Sequence, residues 1–422
     1  MKTGTRLFEV GLAFAVCLAI GFGWSDLRKG EMPDFGELPS AIVGNQVLNR
    51  ELPPTETFRQ VLANIDALQY GSAKRQDLTH AAVDGMIGSL NDPHTMLLEV
   101  EAAQKFQEKN HGEFVGIGAE LAPDQLGARV RRVFKNSPAS EAGLRQNDIV
   151  TKVGAKSVSG RDLLEVVGDI RGPSGSTVKL TLLRAGVESP ITLVVARRRV
   201  QIQDVYGEIL QGPEVDGKAA IGKLEVRSFS EMIVAQFDDE LSDLEAQGIK
   251  GLIIDLRGNP GGLMSAAVAM AGRFVDNRVI ASMKERDGSP EVFRSHTGLA
   301  EGRTYPVVIL IDGGTASAAE ILAGSLHDYN RATLVGTRSY GKGSVQIVKP
   351  LEDGAQLKIT IARYYLPNGE SVQRKETEDG EFLSGGLKPD VEVKSPPNAV
   401  QGDLKTDAQL RKAAEIIYSK LR

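Results

Sequence analysis

From Gln201 to about Val393, short apolar runs alternate with longer stretches whose apolar residues recur at helical spacing. Ile221 to Val226, Gly251 to Leu256, Val307 to Ile311 and Thr333 to Val335 read as strands; Ser230 to Ala246, Leu263 to Val275 and Ala316 to Tyr329 read as the helices between them. Alternation of this kind predicts a βαβ core with helices on the faces of the sheet, to which Leu357 to Tyr365 and Val391 to Val393 add strands. Upstream, from about Glu113 to Arg199, β-like runs and turns surround a single helix-like piece, Gly160 to Ile170. From Thr55 to about Lys109 the pattern is helical: Phe58, Val61, Leu62, Ile65 and Leu68 share one face, Ala81 to Leu90 repeats the pattern, and Asn91 to Thr95 ends the second helix as a capped turn. Thr406 to Arg422, with Leu410, Ala413, Ala414, Ile417 and Leu421 at helix spacing, predicts an amphipathic terminal helix that either docks on the body or mediates oligomerisation.

The predicted fold class is therefore α/β and multi-domain. Its boundaries are 1–25 for a signal peptide or membrane anchor, 26–54 for a linker or arm, 55–112 for the helical region, 113–200 for the inserted β domain, 201–396 for the core and 397–422 for the C-terminal helix. At 422 residues the chain exceeds one ordinary core, which agrees with this division. Lys2 and Arg6 precede the apolar run Val10 to Trp24, which has the length of a signal h-region and is short for a full span. The run predicts export to a periplasmic or other extracytoplasmic space. Gly21 to Gly23 is a poor cleavage site, so an uncleaved membrane tether stands as the alternative.

Charge and cysteine content narrow the function classes. A net charge of −5 excludes a global nucleic-acid footprint, and the short basic clusters Arg197 to Arg199 and Arg129 with Arg131 and Arg132 read as solvated strand faces or domain contacts. Cys17 is the single cysteine, which rules out an intramolecular disulfide. The five histidines show no metal-ligand spacing, and neither a metal nor a cofactor is expected.

The candidate chemistry lies in the core. Pro306 to Ile311 is a buried-strand run, Gly313 and Gly314 break it, and Ser317 falls where the next helix begins. There the free N–H groups and the positive end of the helix dipole favour an alkoxide and, through the amide of Ala318, an oxyanion. The glycine-flanked Lys342 supplies an amine that burial turns into a base by disfavouring its charged form. The plainer reading of Thr315 or Ser317 with Glu320 is a helix N-cap and capping box. A second glycine-rich elbow, Arg257 to Gly262, follows the strand-like Gly251 to Leu256. If the two strands are neighbours, both elbows can aim amides at one point. His94 reads as turn chemistry, and His327 lies ten residues along the helix from Ser317, too far for a Ser-His-Asp set with Asp328.

Several motifs in order resemble one family, the carboxyl-terminal processing peptidases of tail-specific protease type, which are serine proteases with a Ser-Lys dyad and an embedded PDZ domain. They are NDPHT at 91–95, FVGIG at 114–118, DLRGNPGG at 255–262, GTASAAE at 314–320, GKGSVQ at 341–346, ARYYLPNG at 362–369 and LKPDVEV at 387–393. The resemblance covers roughly Thr55 to Val393. The resemblance implies a crotonase-like protease core with an inserted PDZ domain. It implies Ser317 as nucleophile, Lys342 as general base, Gln346 as the residue that orients the lysine amine, and the amides of Gly262 and Ala318 as the oxyanion hole. It further implies a substrate C-terminus bound by Gly116, Ile117 and Gly118, and a coupling role for Arg171, which would hydrogen-bond near Gln346. Thr315, Ala319 and Asp312 depart from the residues usual in the family and bear on specificity.

The function expected is that of an exported serine endopeptidase that recognises protein C-termini through a PDZ domain and cleaves near them through an acyl-enzyme. The alternative is an inactive or latent PDZ scaffold that binds C-terminal tails. The partners expected are protein substrates with accessible C-termini, further copies of the chain in a homo-oligomer and, left open, an adaptor protein; no nucleic acid is expected.

Overall fold

The computed structural model describes residues 54–69, 71, 74–211, 215–377 and 379–422. The apolar run from Val10 to Trp24 lies outside the described residues. Among those described, no helix is long and apolar enough to cross a membrane. The chain divides into two units, 1–82 and 83–422. The first contains the helix Pro54–Leu68, in which Glu56 accepts hydrogen bonds from Arg59 and Gln60. Its apolar stripe is not a core face, since Phe58, Val61 and Leu68 are exposed.

The second unit is built on a six-stranded sheet in the order Val205–Ile209, Ile221–Val226, Gly251–Asp255, Val307–Ile311, Ala332–Gly336, Val391–Glu392. Only the first pair is antiparallel. The two glycine elbows leave adjacent strands, with Leu252 opposite Val307 and Ile254 opposite Ile309. The two central strands, Gly251–Asp255 and Val307–Ile311, are buried on both faces, where no alternation of polarity is needed, and they are apolar but for Asp255. Their side chains nevertheless divide by face. Leu252, Ile254, Val307 and Ile309 pack with Phe237, Leu241 and Met270 from the helices Ile233–Ala246 and Met264–Ala271 and with Leu322 from Ala318–Asp328. Ile253, Val308 and Leu310 pack on the other face against Leu410, Ala413 and Ile417 of the helix Ala408–Lys420.

The amphipathic terminal helix thus docks on the body. Asp407 caps it by accepting from Leu410 N at 3.0 Å, and a buried ion network pins its start: Arg257 donates to Asp255 at 2.7 Å and to Asp407 at 2.8 Å. Ile417 lies so close to Gly251 that a Cβ there would stand 2.3 Å from it, so only glycine permits this approach. Burying a side chain such as Ile417 contributes about 1.5–3 kcal/mol.

A second, antiparallel sheet contains Met96–Leu98, Gln356–Tyr365, Val279–Glu285 and Pro290–Arg294, with Ser344–Pro350 on the other edge of Gln356–Tyr365. The strand expected from Leu357 to Tyr365 therefore belongs to this sheet and not to the βαβ core. Residues Met96 to Leu98 form a strand within the stretch that reads as helical up to about Lys109.

Residues 119–196 form an antiparallel sheet led by the edge strand Ala119–Asp124, with the helix Leu163–Ile170 beside it. This sheet has its own core around Val130, Val150, Leu180 and Leu182. It holds a second short helix, Pro138–Glu141, where one helical piece was expected. Ser137 caps that helix by accepting from Ser140 N at 3.2 Å.

Candidate active site

Ser317 stands at the turn from the strand Val307–Ile311 into the helix Ala318–Asp328, half-buried, with φ 55° and ψ −119°. A non-glycine residue in that region is strained and persists only where its surroundings hold it. The surroundings are hydrogen bonds. Thr315, fully buried, donates from Oγ1 to Leu256 O at 2.8 Å, and Ala316 N donates to Asn259 O at 2.9 Å. Asp312 Oδ1 accepts from Gly258 N at 2.8 Å and Gly314 N at 2.9 Å. The two elbows are thereby stitched together, and Gly261 presses so closely that a Cβ would lie 2.8 Å from Ser317 Cβ and 2.9 Å from Ala318 N.

Glu320 joins this elbow to the lysine loop. Its carboxylate is buried and accepts from Ser317 N at 2.8 Å, Gly341 N at 2.8 Å, Lys342 N at 2.9 Å and Ser339 Oγ at 2.5 Å. Burial raises its pKa, and these four donors oppose the shift. One acidic side chain therefore fixes the backbone of both candidate residues. Buried Tyr364 adds a bond from its hydroxyl to Ser317 O at 3.2 Å.

Ser317, Lys342, Gln346, Gly261 and Gly262 line one cleft of about 510 Å³. Lys342 is half-buried. Its amine is held below the ordinary lysine range first by burial and then by the nearby charge of Lys358, against the opposing pull of Asp92 and Glu320. The amides of Gly262 and Ala318 have no hydrogen-bond acceptor among the described residues. Gly262 is bridged to Phe229 only through its neighbours, as Phe229 N donates to Gly261 O and Leu263 N to Phe229 O. The cleft thus combines a strained hydroxyl, an amine biased towards its neutral form and two free N–H groups beside the hydroxyl's own backbone.

The family model for peptidase family S41 matches residues 220–393, and the PDZ domain model matches 115–195. The carboxy-terminal processing protease CtpA of Bacillus subtilis (strain 168) is 35% identical over 361 residues, which cover 85% of this chain and 73% of the relative. The chain belongs to peptidase family S41. It is a serine-type peptidase of the carboxy-terminal processing kind, with a PDZ domain. A CtpA-like serine protease of Staphylococcus aureus (strain COL) is 34% identical, and the match spans 76% of this chain but 62% of that relative's length. The fold also matches the crystal structure of an S41 protease from Bacteroides fragilis, at TM-score 0.52 and 18% identity, over 83% of this chain and 92% of the other.

In this S41 peptidase the expected Gln346 bond to the lysine amine is not made. Gln346 Nε2 donates to Ser344 Oγ at 2.8 Å and to Thr360 Oγ1 at 3.2 Å. Arg171 does not meet Gln346 either. Its Nη1 pairs with Glu108 at 3.4 Å, and its guanidinium lies 5.7 Å from the centre of the Phe114 ring.

Gly116, Ile117 and Arg171 line a separate groove of about 460 Å³, walled by the edge strand Ala119–Asp124 and the helix Leu163–Ile170. Gly118, with φ 80°, forms the turn before that strand, and the amides of Ile117 and Gly118 have no acceptor among the described residues. His327 is bound to Asp390 at 2.9 Å and takes no part in the cleft. The sequence identified Glu320 only as a cap. Its second role was beyond reach because nothing local says that residues 339–342 fold back onto it.

Proposed function

We propose that Ser317 is the nucleophile and Lys342 the general base of an endopeptidase that takes protein C-termini into the Gly116–Gly118 groove and cleaves near them. One observation carries this reading: the half-buried Lys342 amine, depressed by burial, lines the same cleft as the strained Ser317, with Glu320 holding both backbones.

Neutral Lys342 takes the proton of Ser317 Oγ as that oxygen attacks the scissile carbonyl. The oxyanion lies against the amides of Gly262 and Ala318. Collapse breaks the C–N bond, and the Lys342 proton passes to the leaving amine. Water then attacks the ester with Lys342 again as base, which frees the acid product and Ser317. A substrate tail adds as a strand to the edge Ala119–Asp124, with its carboxylate on the Ile117 and Gly118 amides. Gln346 supports the cleft wall through Ser344 and Thr360. The N-terminal apolar run exports the chain or tethers it to a membrane, so its substrates are extracytoplasmic proteins. Self-association and an adaptor belong to the same proposal.

Ser317→Ala and Lys342→Ala should each lower kcat on a cleaved peptide by at least about 10⁴-fold, with the double variant no worse, because the two residues act as one unit. Appreciable turnover by folded Lys342→Ala overturns the assignment.

A further inference from the structure

The cleft around Ser317 is lined by three lysines, Lys109, Lys342 and Lys358, and, among the described residues, by no carboxylate, in a chain of net charge −5. Lys342 is occupied as the base. The other two make no ion pair among the described residues. Lys358 is half-buried on the strand Gln356–Tyr365, opposite Val348, and its amine lies 5.6 Å from the centre of the Phe106 ring. Lys109 is exposed in the last turn of the helix Val100–His111, where the helix dipole favours a cation.

Neither lysine has a carboxylate within ion-pair distance among the described residues. Of the acids that act on them, Asp92 spends its oxygens on His94 N and Thr95 Oγ1, and Asp204 accepts from Ser230 Oγ. The two ammonium groups repel one another, and burial further disfavours the charge on Lys358. Asp92 offsets this in part, and like charges on a cleft whose described lining holds no carboxylate are relieved further by an anion that enters it.

We propose that Lys109 and Lys358 form a carboxylate-binding subsite within the catalytic cleft, which favours substrates carrying a carboxylate close to the scissile bond. The carboxylate is either an Asp or Glu side chain or the chain terminus itself. The subsite rests on the reading of this cleft as the one that cleaves. It adds a selection separate from the Gly116–Gly118 groove.

The test uses the full-length enzyme and two peptide series. In the first, C-terminally amidated peptides carry Asp or Asn at successive positions on each side of the cleaved bond. In the second, all residues are neutral and the free terminus approaches the bond by truncation, with amidated controls. The quantity read is the ratio of kcat/KM for the charged peptide to its neutral twin, in which any general change in the Ser317 and Lys342 chemistry cancels.

In the wild type, Asp at one position should be preferred by roughly fivefold, the upper range for a partly exposed ion pair. Lys109→Gln and Lys358→Gln should each bring that ratio close to one, and Lys358→Arg should retain it. Added salt should shrink it by screening. Whichever series responds to the two variants identifies the source of the carboxylate. A wild-type ratio of one throughout, or ratios unchanged in both glutamine variants, overturns the subsite. Loss of all turnover in Ser317→Ala, or its retention in Lys342→Ala, instead judges the nucleophile and base.

Discussion

The Ser317 elbow and the Gly116–Gly118 groove are both glycine-dependent turns beside a sheet, yet they are held in different ways. The elbow is over-determined: Glu320 alone accepts four hydrogen bonds there, and Thr315, Asn259 and Asp312 tie in the neighbouring loop. Among the described residues the groove has two free amides, an unpaired strand edge and, at its rim, the partly exposed Arg171–Glu108 pair. Strain at φ 55° survives only in the first setting. Chemistry requires a fixed geometry, whereas recognition of varied tails requires an edge that stays available for another strand.

The sharpest way to break this contrast is Glu320→Ala. It leaves four donors without their acceptor, should cost roughly 2–4 kcal/mol of stability, and should lower kcat by at least about a hundredfold through misplacement of Ser317 and Lys342. Thermal unfolding together with steady-state kinetics measures both effects. If activity stays near wild type in the folded variant, the elbow is not held through Glu320.

On the groove side, amidating a substrate's C-terminus removes the charge expected to meet the Ile117 and Gly118 amides. Cleavage should fall by about tenfold, mainly through KM, as a charge-assisted contact is lost. Equal kcat/KM for acid and amide forms would remove C-terminal capture from the groove while leaving the cleft chemistry standing.

A pH profile sharpens the cleft half. The proposed base, Lys342, would work as the free amine, so activity should rise with pH through the Lys342 pKa, with its inflection below the ordinary lysine range. Because the neighbouring cation disfavours the ammonium form, Lys358→Gln should let that form persist to higher pH and move the inflection upward. An inflection that stays in place would assign the depression of Lys342 to burial alone.

The smallest effect is expected at Arg171→Ala. The pair with Glu108 spans 3.4 Å between partly exposed groups, and Arg171 touches neither Gln346 nor the cleft. Cleavage of a short unstructured peptide should change by less than about threefold. A much larger fall would show that the groove and cleft communicate through this residue.

What was legible in the chain was whatever short-range chemistry encodes. The runs at 221–226, 251–256 and 307–311 read as strands with helices between them, the alternation of a βαβ core, and they pair in parallel. Seven motifs in order carried the family and the residues to test. Contacts across the fold were not legible. The strand Ser344–Pro350, which follows Lys342, pairs with Gln356–Tyr365 in a second sheet whose alternation is blurred by half-buried polar positions. Met96–Leu98 joins the same sheet, and its three residues are too few to show a period.

The sequence by itself determined the parallel core, the elbow with a serine at a helix start, and the glycine-flanked lysine, because each follows from periodicity or turn chemistry within about a dozen residues. Only the tertiary structure decided that Glu320 is more than a cap, that the last helix covers the sheet through Ile417 and Leu410, and that Arg171 pairs with Glu108. It also decided that Lys109, more than two hundred residues before Lys342 in the chain, shares its cleft. A side chain's burial and charge depend on what the fold places beside it, and no local pattern records which distant segment that is.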